Sequence, residues 1–157
     1  MRESHASDSA EQRDAESLMV ALLAERIGMP LSPRTVDLGD GRRVQLDAAS
    51  EDLTVLVEAY ARHGRLKPAS QKKLLADAFK LAYAARATGA ARLILLLADE
   101  TAAAPFRGTG WCAGALEAFA IEVVVVDLPE DVRERVIAAQ KRQVQVRLTR
   151  GGTVEKG

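Results

Sequence analysis

The chain carries one cysteine, Cys112, which excludes an intramolecular disulfide framework and points to a reducing compartment. Its two histidines, His5 and His63, form no cluster that would bind zinc. Aromatic residues make up only 4% of the 157 residues, so Ala, Leu and Val must fill the interior. Charge of one sign is lacking too: 22 basic and 22 acidic side chains cancel. A global basic field for non-specific nucleic-acid binding is therefore missing, and any such contact needs a local patch. No apolar run reaches membrane-spanning length, and the polar start from Met1 to Ala10 lacks the apolar segment of a secretory signal. A cytoplasmic protein without a membrane partner is the expectation.

What is present is ordinary for one globular domain: 48% apolar and 28% charged residues, at a length that can bury a core without staples. Residues 1–10 read as a mobile tail and residues 11–143 as a single domain. Residues 144–157 read as a C-terminal tail, in which the alternation of Val144, Val146 and Leu148 suggests an edge strand or a dimer contact. Leu18, Met19, Leu22, Leu23 and Ile27 make one apolar helical face, ended by Gly28 and Pro30. Thr35 to Leu38, Arg43 to Ala48 and Leu53 to Ala61 then read as three strands in two consecutive hairpins. A helix from Pro68 to Gly89 is expected to bury Leu75, Ala78, Phe79 and Ala82. Leu93 to Ala98 and Ile121 to Val126 suit interior strands covered on both faces. Between them lie a loop and a helix from Trp111 to Phe119, where Trp111 and Cys112 are expected to pack inward. A last helix begins at Pro129 and runs to about Gln143. Three strands joined by short turns, followed by helical crossovers, give a mixed α/β sheet with helices on both faces.

The third strand carries the chemistry. Thr54, Leu56, Glu58 and Tyr60 share one side of it, and Glu58 is a carboxylate in an otherwise apolar strand. Burying it alone would be costly, so it should meet a metal ion, a cation or hydrogen-bond donors. Asp47 ends the preceding strand, and two hard oxygen ligands on one face suit a magnesium-type ion. The register decides whether they meet. A tight turn places Glu58 across from Arg43, whereas a shifted register brings Asp47 beside it, and Asp37 or Asp40 are alternative partners. Downstream, Arg62, His63, Arg65, Lys67, Lys72 and Lys73 form a basic stretch without an acid. His63 reads as a surface loop residue, and Lys73, Asp77 and Lys80 as a polar stripe opposite the helix's core face.

These features resemble the PD-(D/E)XK, or restriction-endonuclease-like, nuclease superfamily. That fold runs helix, three antiparallel strands, helix, strand, here extended by a further helix, strand and helix. Val44-Gln45-Leu46-Asp47 followed by Val55-Leu56-Val57-Glu58-Ala59-Tyr60 is similar to its acid and acid-x-lysine motif, with Tyr60 where the lysine belongs. Val57 to Gly64, then Lys73, Asp77, Lys80 and Leu81, with Trp111 and Ala138 to Gln143, resemble an uncharacterised bacterial group of that fold. The resemblance implies magnesium held by Asp47 and Glu58, a catalytic lysine from Lys73 or Lys72, and a water oriented by Gln71. It implies a nucleic-acid backbone tracked by Arg62, Arg65 and Lys67, with a homodimer or partner completing so small a nuclease. Two other readings stand beside it. One is a catalytically inactive nuclease-fold protein that binds or assembles. The other is an unrelated α/β domain whose Glu58 pairs with Arg43 or a helix lysine.

Overall fold

A computed structural model describes residues 2–151. Helix α1 (Arg2–Ile27) repeats Ala15, Met19 and Leu23 at four-residue spacing and buries that stripe. It begins well before Glu11, where the apolar spacing starts, so helix runs through residues expected as a tail. Strands β1 (Ser32–Gly39) and β2 (Arg42–Ala49) form a hairpin, and β3 (Val55–Tyr60) follows antiparallel to β2. Helix α2 (Pro68–Thr88) returns the chain to β4 (Arg92–Leu97), which lies parallel to β3. The short α3 (Glu100–Ala103) and α4 (Trp111–Ala118) lead to β5 (Ile121–Val125), parallel to β4, and α5 (Glu130–Gly151) closes the described chain.

The sheet order is β1-β2-β3-β4-β5, a mixed sheet between two helical layers. Strands β3 and β4 lie in its middle, and alternation divides their side chains. Leu56, Tyr60, Leu93, Leu95 and Leu97 pack with Leu74, Ala78 and Leu81 of α2 and Leu116 of α4. Val55, Val57, Ala59, Ile94 and Leu96 pack with Ala15, Met19 and Leu23 of α1 and Val136 of α5. No helix among the described residues is long and apolar enough to cross a membrane.

Several expectations are corrected here. Val144, Val146 and Leu148 lie within α5, not in an edge strand. Ile137, Val144 and Leu148 also recur at helical spacing, and extending an existing helix needs no new nucleus. Residues 152–157 of that tail lie outside the described residues. Strand β5 is an edge strand with three half-buried valines, because no sixth strand follows it among the described residues. On α2 the buried stripe is Ser70, Leu74, Ala78, Leu81 and Ala84, which turns Phe79 outward. Trp111 is exposed as well, at the first position of α4.

Candidate functional site

Strands β2 and β3 pair only at Ala48 with Val57 and Ala49 with Leu56. The loop between them sets that register. The Ser50 hydroxyl takes the Val55 N–H at 3.0 Å, and one Asp52 carboxylate oxygen takes the Thr54 N–H at 3.1 Å and its hydroxyl at 2.7 Å. This loop is longer than a tight turn, so Glu58 stands one step past the last pair, across from Asp47 rather than Arg43. Beyond that step the strands part. The Ala59 N–H, left without a β2 carbonyl, donates instead to Asp47 Oδ2 at 2.8 Å.

Lys80, from α2, spans the same gap. Its Nζ donates to the freed Gln45 carbonyl at 3.0 Å and lies 2.8 Å from Glu58 Oε1. Glu58 is 4% exposed, and the Lys80 ammonium is the cation that meets its Oε1. Burial pushes the Glu58 carboxyl up to about 8, with Lys80 opposing and the charges of Asp47 and Asp77 adding. The contact with Lys80 therefore only partly offsets the cost of keeping this carboxylate charged.

A further carboxylate enters from α1. Glu16 lines the same cleft, and burial, helped by the charge of Asp47, pushes it up to about 7, while the Gln12 amide, 3.3 Å away, opposes. Lys73 projects from α2, its Nζ 2.9 Å from Asp77 Oδ2 and 5.1 Å from the centre of the Tyr60 ring. Partial burial works against its charge, but Asp77, with Glu16 and Tyr60 behind it, outweighs this and holds the ammonium above its usual range. The cleft is an open space of about 500 Å³ lined by Asp47, Glu58, Glu16, Lys73, Asp77 and Lys80 among others.

Of the residues expected to act together, Asp47, Glu58 and Lys73 line one cleft, where Lys73 Nζ is paired with Asp77. Lys72 and Gln71 do not line the cleft: Lys72 faces solvent, and the Gln71 amide donates to the Leu66 carbonyl at 3.2 Å. Asp37 and Asp40 stay at the first hairpin turn, Asp37 Oδ1 accepting from Gly39 N at 2.9 Å and Asp40 facing Arg42. Nor are Asp77 and Lys80 a solvated stripe; both are largely covered and face the cleft. Glu16 had no local signal, being one acid on an amphipathic helix. For Lys80 the signal was its place on α2 and a lone strand carboxylate requiring a cation.

Arg62, Arg65 and Lys67 gather elsewhere, around a second hollow of about 430 Å³ between the β3–α2 loop and α5, to which Lys141 and Gln145 also contribute. His63 lies at its base and is 8% exposed, not on the surface as expected. It is drawn in because Gln140 of α5 grips its backbone: His63 N donates to Gln140 Oε1 at 2.8 Å, and Gln140 Nε2 donates to His63 O at 3.0 Å. Burial lowers the affinity of the imidazole for a proton, with Arg133 adding and Asp99 opposing. Gly64, whose φ of +81° few other residues would adopt, donates its N–H to Asp99 Oδ2 at 2.7 Å.

Four carboxylates, Glu16, Asp47, Glu58 and Asp77, line the cleft together with the cations Arg13, Lys73 and Lys80, and Lys80 already stands 2.8 Å from Glu58 Oε1. Among the described residues no three His, Cys, Asp or Glu side chains stand close enough to grip an ion by themselves. Asp47 and Glu58 would supply two ligands and leave the other positions to water and phosphate, a partial ligand set that magnesium accepts. Comparison with protein-family models, with curated proteins and with solved structures gives no match.

Proposed function

We propose that this protein is a divalent-metal-dependent, nuclease-like protein of the restriction-endonuclease-like fold, acting on a phosphodiester in nucleic acid. The observation that carries this reading is that Asp47 and the buried Glu58 line one cleft where β2 and β3 separate, with Lys73 on the facing helix. Asp47 and Glu58 would hold the ion. When bound, magnesium supplies a more acidic water and offsets charge on the phosphoryl oxygens. Lys73 would bind the scissile phosphate through its ammonium. Glu16, with a proton affinity near neutrality, is suited to take the proton from the attacking water. Water adds to phosphorus, its proton passing to Glu16, as the bond to the leaving sugar oxygen breaks, and that oxygen takes up a proton from solvent water. Arg62, Arg65 and Lys67, with Lys141 beside them, would receive neighbouring phosphates.

The test is a thermal-shift titration with Mg²⁺ and Mn²⁺, paired with incubation of plasmid, single-stranded and branched DNA. Wild type should gain stability, by about 2.7 kcal/mol at a hundredfold excess over Kd, and nick or cut a substrate. Asp47→Asn and Glu58→Gln should lose both responses. Cleavage that persists in Glu58→Gln would mark a contaminant and remove the enzyme.

A second reading has its own support: a nuclease-fold protein that binds without cutting. Lys80 already stands 2.8 Å from Glu58, and Tyr60 occupies the motif lysine's place. Salt-dependent DNA binding with neither metal shift nor cleavage would select it.

A further inference from the structure

The chain has six aromatic side chains (one Trp, two Tyr and three Phe), too few to waste on solvent. Yet Phe79 is 78%, Trp111 75%, Phe119 66% and Tyr83 43% exposed. Phe79, Trp111 and Phe119 line one groove of about 380 Å³ between α2 and α4, and all its ten lining residues are apolar. Tyr83 stands one turn beyond Phe79 on α2. Among the described residues the exposed large hydrophobic side chains are these four and Leu148, so nearly all such surface is gathered on one face.

We infer that this face is the twofold contact of a homodimer, with the aromatic ridge of each copy seated in the groove of the other. Two arguments select a second copy. The first is area. At ~200 Å² per aromatic ring, the exposed fractions of the four rings amount to about 500 Å². That is well over half of the ~800 Å² each partner buries in a standard interface. The second is chemistry. A groove with no charged side chain, whose one side-chain hydrogen-bonding group is the Trp111 indole N–H, favours an equally apolar surface, and this chain presents a matching one on the same face. Self-complementarity of that kind is what an isologous contact requires. The missing cations also make the groove unsuited to nucleic acid. It uses a different flank of α2 from Asp77 and Lys80, so the inference does not depend on the chemistry proposed for the cleft.

Sedimentation velocity on the full chain, from low to high micromolar concentration, reads the assembly directly. Trp111 is the protein's one tryptophan, so its emission reports burial of the face without a label. The expected result is twice the chain mass, with emission shifting to the blue as the dimer fills. Phe79→Glu and Trp111→Glu should be monomers with wild-type circular dichroism, while Leu148→Glu stays dimeric. Phe79→Ser and Trp111→Ser give the same mass reading should a buried-edge glutamate impair folding. A single-chain mass at every concentration would overturn the inference. So would a dimer that survives the Phe79 and Trp111 substitutions, that Leu148→Glu dissociates, or that leaves the Trp111 emission unshifted.

Discussion

Two residues, Glu58 and Glu16, are poised to make stability depend on pH. Both hold their protons more tightly in the folded protein than an ordinary carboxyl at 4.5, at about 8 and about 7. A raised carboxyl favours folding fully below its unfolded value, and that contribution is lost as pH rises through the folded one. Without divalent cations, the melting temperature should therefore fall between about pH 5 and pH 8. Glu58→Gln should flatten the decline, and saturating Mg²⁺ should reverse part of it, because the cation replaces the protons. A melting temperature that rises steadily over that range in EDTA would contradict the reading. Glu58 was legible as a residue needing a partner, since an acid in an apolar strand is costly wherever it lies. The identity of the partner was not, because Lys80 is remote in sequence and reaches Glu58 only once α2 has packed on the sheet.

At the scale of elements, a side-chain clasp joins α5 to the β3–α2 loop. Gln140 exchanges two hydrogen bonds with the His63 backbone, holding the loop that carries Arg62, Arg65 and Lys67. Gln140→Ala should cost about 1–3 kcal/mol, since it leaves two partly buried backbone groups to find water. Denaturant unfolding measures this, and the same variant should weaken DNA binding while sparing the metal-induced shift. Element order could be read from the sequence because hydrophobic period and turn chemistry are local. The strand starting at Val55 rather than Leu53 could not, as the Ser50 and Asp52 side chains occupy the residues before it in loop hydrogen bonds. Of the two registers the sequence left open, this start selects the one that sets Glu58 across from Asp47 rather than Arg43. Phe79 and Trp111 misled for a related reason: periodicity marks an apolar residue but does not say whether it meets this chain or another.

For the whole molecule, zero net charge means that the nucleic-acid binding proposed above would have to come from a local basic patch, of which the hollow lined by Arg62, Arg65, Lys67 and Lys141 is the candidate. Binding should accordingly be modest and concentrated on Arg62, Arg65, Lys67 and Lys141. The Arg65→Ala/Lys67→Ala pair should weaken binding alike across sequences and reduce the slope of log K against log salt by about 2, one for each cation removed. An unchanged slope would place the nucleic acid elsewhere.

The amino-acid sequence alone dictated the α/β alternation, the early hairpins, the basic stretch after β3 and the need to neutralise Glu58. Each follows from neighbours in the chain: period, turn residues and the cost of a buried charge. Tertiary structure alone decided that Asp47 faces Glu58, that Glu16 and Lys80 join them, and that four aromatic rings look outward. Those outcomes depend on register and on helix rotation against the sheet, which are settled by contacts between segments far apart along the chain.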